Sequence, residues 1–397
     1  MNNSRIACSL LILLFISSLG LSPAAHSISA NSNKSARTMI TSQIETPIAI
    51  GSNPELAQLS TAGVGTRSDP YIIEGKVISA VNCIYIHDTT AFFVIRDSEF
   101  TYTPNELAII GSAVVRFDRV EHGTIENCYV RGGDISIEIR ASTDCTIRDC
   151  FAIDSYAGIL TDSSDNCTII DCSIFGNTIG ARIFSSDSCN IINNSIYSNN
   201  QYGVHVYAFC ENNIIFGNMI GWNGVHNAVD DGDNTEFTDS VSIGNEWSDF
   251  NSSAVYSIQG SGSSIDPYAT KLTDETRPVV LGHYDLVIDV ESNGETLTWT
   301  ANDTFPSHYQ IYVNDELVED SAWDGRDIEF SLDELGLGTH TIDLNVTDGA
   351  GNVGRDIVVV SVISFILGGI GTELVMVASG ITVACFVIIL LLVKRFA

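Results

Sequence analysis

Gly203-Val204-His205 and Gly224-Val225-His226 repeat one short string, and each ends on an imidazole. Imidazole donates and accepts hydrogen bonds near neutral pH. Arg182 and Phe184 lie upstream, and Tyr207 follows His205 by two positions. Aromatic rings beside planar donors form a wall suited to a sugar chain: the rings stack and the donors meet hydroxyls. Glu138 and Asp162 offer a second kind of chemistry. As diagonal neighbours in a sheet they would stand ~8 Å apart, within the spacing of an inverting glycosidase pair. Arg140 and Arg182 fall beside them in the pattern. Plain ion pairing therefore competes, and neither carboxylate is assigned as catalytic. Asp230, Asp231 and Asp233 crowd one turn. Such oxygens suit calcium, although an acidic turn closing a repeat accounts for them too. Calcium is the one cofactor the sequence suggests.

These residues need a scaffold, and the chain supplies a periodic one. Thr124-Ile125-Glu126-Asn127-Cys128 is followed by Thr146-Ile147-Arg148-Asp149-Cys150, Thr168-Ile169-Ile170-Asp171-Cys172 and Asn190-Ile191-Ile192-Asn193-Asn194, each 22 residues after the last. A fifth row is expected from Asn213, one residue late. A fixed period of this size indicates stacked units. Each row is too short for a helix plus a strand. Three short strands and their corners fill it, which is a parallel β-helix, and the crossover rule makes it right-handed. Ile125, Ile147, Ile169, Ile191 and Ile214 then form one interior column, and Val130, Ala152, Ile174 and Ile196 another. Cys145, Cys167 and Cys189 form a third, and Cys128, Cys150 and Cys172 a fourth. Residues stacked in register point the same way, so buried thiol ladders are expected rather than disulfides. Asn127, Asp149, Asp171 and Asn193 read as corner residues. Alternation turns Ile137, Ile139, Ile159, Thr161, Ala181, Ile183, Val204 and Val206 inward. It leaves Glu138, Leu160, Arg182, His205 and His226 in one outward column, with Arg140, Asp162, Phe184 and Tyr207 beside it.

Net charge is −31, from 49 acids and 18 bases in 397 residues, which argues against a nucleic-acid partner. Residues 1–30 read as a signal peptide: Arg5, an apolar run from Ile6 to Leu14, then small residues around Ala24-Ala25. Residues 31–64 read as a flexible tether. Leu374 to Val393 is a 20-residue stretch without charge, long enough to cross a bilayer as a helix. Glu373 precedes it and Lys394-Arg395 follow, which puts the tail at 394–397 inside and everything upstream outside. The expected location is the cytoplasmic membrane, single-pass, with the ectodomain at the cell surface. Asn33, Asn166, Asn193, Asn251, Asn302 and Asn345 each open a glycosylation sequon.

A solenoid is expected over 65–262, a linker over 263–274, a second domain over 275–362 and a juxtamembrane piece over 363–373. The second domain has about seven short strands, turns at Asn293-Gly294, Asp324-Gly325 and Asp348-Gly349, a core Trp299, no cysteine, and 18 acids against Arg277, Arg326 and Arg355. That pattern predicts a β-sandwich. Val346-Thr347-Asp348-Gly349-Ala350-Gly351-Asn352 and the Trp299 strand resemble Ig-like modules of prokaryotic surface proteins. Gly65-Thr66-Arg67-Ser68-Asp69-Pro70-Tyr71-Ile72-Ile73-Glu74-Gly75, Asp230-Asp231-Gly232 and Gly244-Asn245-Glu246-Trp247-Ser248-Asp249-Phe250 flank the repeat. Together they resemble the NosD-type right-handed β-helix domain of archaeal surface proteins, in the wider class of carbohydrate-binding proteins and sugar hydrolases. The founding role of that family is copper-site maturation of nitrous oxide reductase. Copper handling favours Met, His or exposed Cys, and only Met39 and Met219 lie between the signal and the membrane segment. The sequence therefore predicts an all-β chain: a right-handed parallel β-helix, an Ig-like β-sandwich as stalk and one C-terminal transmembrane helix. The expected function is binding of glycans or envelope components at Arg182, Phe184, His205, Tyr207 and His226. A surface polysaccharide hydrolase or lyase, and a non-catalytic structural envelope protein, are the alternatives.

Overall fold

Each repeated row folds as a three-residue strand closed by a corner. Thr146–Arg148, Thr168–Ile170 and Asn190–Ile192 are such strands, paired in parallel at the expected register. The corner residues Asn127, Asp149, Asp171 and Asn193 have φ of 48°, 53°, 54° and 54°. Asn and Asp visit this left-handed region more readily than other side chains. The next corner is Gly217 (φ 70°), where a Cβ would stand 2.3 Å from Asn193 Oδ1. The corners thus turn the chain, and the isoleucines between them fill the core.

The computed structural model describes residues 45–104, 111–251 and 254–364. The expected signal at 1–30, most of the tether, the membrane segment at 374–393 and the tail lie outside them. No helix of the described residues is long and apolar enough to cross a membrane. Three parallel sheets wrap one solenoid core. The first has eight strands, from Ile48–Ile50 to His226–Asp230. The second has seven, from Tyr71–Glu74 to Ile214–Phe216, and the third nine, from Val77–Ala80 to Thr270–Lys271. Ile125, Ile147, Ile169 and Ile191 are at most 1% exposed, as are Val130, Ala152, Ile174 and Ile196. All eight described cysteines are free and buried, and six of them are those of the two expected ladders.

Three expectations need correction. The fifth row starts two residues late, not one: Ile215, not Ile214, continues the isoleucine column. The extra residues enter at two corners, since the step is 23 in the first sheet (Ile183 against Val206) and 24 in the second (Ile191 against Ile215). The solenoid also begins earlier than residue 65. Ile48–Ile50 pairs with Ile84 to Ile86, and the helix Asn53–Leu59 sends Leu56 into the core. Ser52 caps this helix by accepting from the Glu55 N–H, and Pro54 occupies its first turn. Finally, residues 263–274 are not a free linker. Ile265–Asp266 pairs with Tyr256–Ser257, Thr270–Lys271 adds the last rung of the third sheet, and buried Asp266 accepts from the Trp247 indole at 2.9 Å.

Buried side-chain ladders run parallel to the backbone ladders. Asn177 N–H donates to Asn199 Oδ1, and Asn199 N–H to Asn223 Oδ1. A second ladder takes over where the Cys128 column ends: Cys172 N–H to Asn194, Asn194 to Asn218, Asn218 to Asn245, and Asn245 to Asp266. Each side chain satisfies a backbone donor of the preceding coil, which is what burial of a polar group requires.

The second β unit combines a five-stranded sheet (Leu286–Asp289, Val353–Ile363, Gly338–Asp348, Pro306–Val313, Glu316–Ala322) with the pair Thr296–Trp299 and Ile328–Ser331. Both contribute to one core around Trp299, Trp323, Ile311 and Leu344. This unit packs against the third sheet of the solenoid. Phe305 joins buried Tyr129, Ile153, Phe175 and Tyr197. Tyr197 donates to Pro306 O at 3.0 Å, and Arg326 lies 4.0 Å over the Tyr129 ring while pairing with Glu99 at 3.2 Å.

Candidate functional site

The first sheet presents its outward side chains in register. Arg116, Glu138, Leu160, Arg182 and His205 follow one another across five strands. Asp118, Arg140, Asp162 and Phe184 form the neighbouring column. The residues expected inward, from Ile137 to Val206, are all at most 1% exposed. Alternation thus places Arg182, Phe184, His205 and Tyr207 on one outward strip, as the sequence predicts.

The strip is packed by rings. Tyr207 stacks on His205 at 3.9 Å and meets Phe184 edge-on at 5.4 Å. The Arg182 guanidinium lies 4.6 Å over the Tyr207 ring and 5.7 Å from that of Phe184. Phe184 is exposed, Tyr207 and Arg182 are partly buried, and His205 is buried. Burial pushes the His205 imidazole below its ordinary range, opposed by Asp231, whose carboxylate lies 3.6 Å from Nε2. His205 Nδ1 is buried without a hydrogen-bond partner.

His226 belongs to a different column from the one expected. It pairs with Tyr202, and Val229 is the partner of His205. The two Gly-Val-His strings are 21 residues apart, whereas this rung steps by 24. His226 still reaches the strip, stacked on Tyr202 at 6.1 Å, and Tyr202 lies edge-on to His205 at 5.1 Å. Tyr202 was not foreseen, because simple alternation breaks at the second strand position. There Gly158, Gly180 and Gly203 face inward: a Cβ on any of them would fall within 3 Å of interior atoms such as Ile174, Ile196 or Ile220 Cγ2. The preceding residue is thereby turned outward. The glycine column was the available signal.

The carboxylate pair is engaged elsewhere. Glu138 is buried, hydrogen-bonded to Arg116, and burial raises its pKa against the pull of that arginine. Asp162 lies 3.9 Å from Arg140 and accepts from Ser163. Nor are Asp230, Asp231 and Asp233 gathered around one point. Asp230 accepts from Gly232, Thr235 and Ser264, and Asp231 from Ser261. Among the described residues, the carboxylates close enough to share a cation are instead Asp274, Asp303 and Asp348. Burial, with Asp348 and Asp274 nearby, raises Asp303 to about 6.

A family model described as periplasmic copper-binding protein (NosD) matches residues 49–252. No curated protein matches the chain significantly. Three solved structures are similar at low identity. The enzymatically active domain of bacteriophage CBA120 tailspike protein 2 is 10% identical, covering 72% of this chain and 68% of its own, with a TM-score of 0.29. Geobacillus virus E2 ORF18 is 11% identical, covering 83% and 76%, at 0.28. The Azotobacter vinelandii mannuronan C-5 epimerase AlgE6 A-module is 14% identical, covering 52% and 84%, at 0.24. None of these likenesses bears on activity.

The copper in the family's description finds no matching ligand set among the described residues. Copper takes thiolate, thioether or imidazole. The thiols here are buried and donate to backbone carbonyls. Burial holds Cys83 up at about 11, and the neighbouring Cys145 thiol with burial holds Cys167 at about 12, against the pull of Cys189. Met219 packs within the aromatic cluster under the second β unit. Among the described residues, the one cluster of three close ligand groups is all carboxylate, a set for hard cations. Family membership thus rests on the coils and not on a metal site: with the match spanning more than half of the 397 residues, the chain belongs to the NosD family.

Proposed function

We propose that this protein is a membrane-anchored cell-surface protein whose solenoid binds glycans or envelope components. The observation that carries the reading is the ring-packed strip of Arg182, Phe184, His205 and Tyr207 on a solvent-facing sheet. Flat aromatic faces offer stacking area to a sugar ring, and the flanking guanidinium and imidazole offer hydrogen bonds to its hydroxyls. A regular parallel sheet also repeats its contacts along the stack every ~4.8 Å, which suits an extended chain molecule. The layout is a solenoid over 65–262 extended back to residue 45, and a sandwich of Ig-like type over 275–362 acting as a stalk. Anchoring through 374–393, export by the signal at 1–30 and a right-handed coil complete the reading, on the sequence arguments above. Binding without turnover is favoured over hydrolysis or lyase action, because Glu138 and Asp162 each sit with an arginine.

The test is a glycan array probed with the wild type and with His205→Ala/Tyr207→Ala. The double variant should lose binding by about a hundredfold, the loss of one stacked ring and one hydrogen bond. Unchanged array binding would sink the assignment of this face. A turnover assay on acidic and neutral polysaccharides separates binding from hydrolysis or lysis.

A further inference from the structure

Arginines on the solenoid strands follow a rule that Arg182 breaks. Arg96 pairs with Glu74 at 2.7 Å, Arg131 with Asp154 at 2.7 Å, and Arg140 with Asp162 at 3.9 Å. Arg116 pairs with Glu138 and Arg148 with Glu126. Arg182 has no carboxylate of the described residues within ion-pair distance, although the chain carries 49 acids. Its register neighbours are Leu160 and His205, positions where an acid would have paired it, as Glu138 pairs Arg116.

The guanidinium is instead held by rings, over Tyr207 at 4.6 Å and beside Phe184 at 5.7 Å. Its Nε is buried and has no hydrogen-bond partner. Stacking of this kind fixes the plane of the guanidinium without consuming its charge. The side chain as a whole is only partly buried, so part of it faces solvent. A planar, always-charged fork held flat with no carboxylate partner is a receptor for a planar anion, which it meets through two parallel N–H···O bonds. Asp231, the acid that faces His205, is engaged by that imidazole and by Ser261. The chain's net negative charge is screened beyond ~8 Å at physiological ionic strength, so the local cation decides the contact.

We infer that the glycan taken by this face is acidic, a polysaccharide bearing carboxylates on its sugars, with Arg182 as the partner of the carboxylate and Tyr207 and Phe184 as the stacking floor. This rests on the reading of the strip as a glycan-binding face. The test measures, by calorimetry, binding of the full-length protein to polygalacturonate, alginate and hyaluronate, each beside its carboxyl-reduced neutral form. At least one acidic polymer should bind about ten- to hundredfold more tightly than its reduced form, the share of a charge-assisted hydrogen bond. Arg182→Gln should abolish the preference, bringing the acidic polymer down to the level of the neutral one. Arg182→Lys should keep part of the preference, with the charge but without the fork. Tyr207→Ala should weaken both forms. Circular dichroism checks that each variant is folded. Equal binding of acidic and reduced forms, or a preference that survives in Arg182→Gln, overturns the inference and leaves the glycan-binding reading standing. No binding to any polymer, acidic or neutral, overturns both.

Discussion

His205 is the residue on which the strip turns. It is stacked by Tyr207, edged by Tyr202, and its Nε2 faces Asp231 at 3.6 Å. Asp230 and Arg182 also act on it, from the next strand and the previous one. Burial wins over the two acids and lowers its pKa. The unfolded chain then takes up this proton first as pH falls. The stability owed to neutral His205 is intact above about 6.5 and is lost as pH drops from there through the lower folded value. Asp231, held low by the Ser261 N–H and hydroxyl, loses its contribution in the same direction but only below about pH 4. An NMR titration should therefore find the His205 midpoint below about 6.5. In urea unfolding, His205→Gln should remove the stability loss that sets in below about pH 6.5 while the loss below about pH 4 remains. A midpoint at or above the ordinary value contradicts this environment. Alternation alone found Arg182, Phe184, His205 and Tyr207. It misplaced His226, because the repeated Gly-Val-His string is not the rung spacing, and it missed Tyr202, because inward glycines locally shift the phase.

The coil is the next scale, and its register is set by two devices of different visibility. The isoleucine and cysteine columns could be read from the 22-residue step, since apolar periodicity is the strongest local signal. The asparagine ladders could not, since isolated Asn in a Ser- and Gly-rich chain reads as turn. Only stacking reveals that Asn177 and Asn199 lie inside and, with half-buried Asn223, satisfy one another's coils. Asn199 accepts from Asn177 and donates to Ile174 O and Tyr197 O. Asn199→Ala would leave several of these groups unpaired in the interior, at a cost of about 2–4 kcal/mol in urea unfolding. Asn193→Gly, at an exposed left-handed corner, should stay within about 0.5 kcal/mol of wild type. If Asn199→Ala proved as mild as Asn193→Gly, the ladder would not be what holds the coils in register.

At the scale of the whole chain, the two β units form a single packed body over the described residues rather than beads on a string. The polar stretch 263–274 has the composition of a linker, yet it supplies the last rungs. Composition reports solvent exposure, and these rungs are narrow and partly exposed. The docking of the second unit has a signal in the sequence: Tyr129 and Phe151 are register neighbours in the third sheet, and so are Phe175 and Tyr197, where a solvated face would be polar. With that face covered, the first sheet carries the strip of Arg182, Phe184, His205 and Tyr207, of which Phe184 is exposed and Arg182 and Tyr207 partly so. The account's central claim is that this strip holds the ligand. A crystal structure of the protein soaked with an acidic oligosaccharide tests it most directly. The account predicts sugar density along the first sheet, with a ring over Tyr207 or Phe184 and a carboxylate at Arg182. Ordered sugar seated elsewhere, with the strip empty, would contradict it.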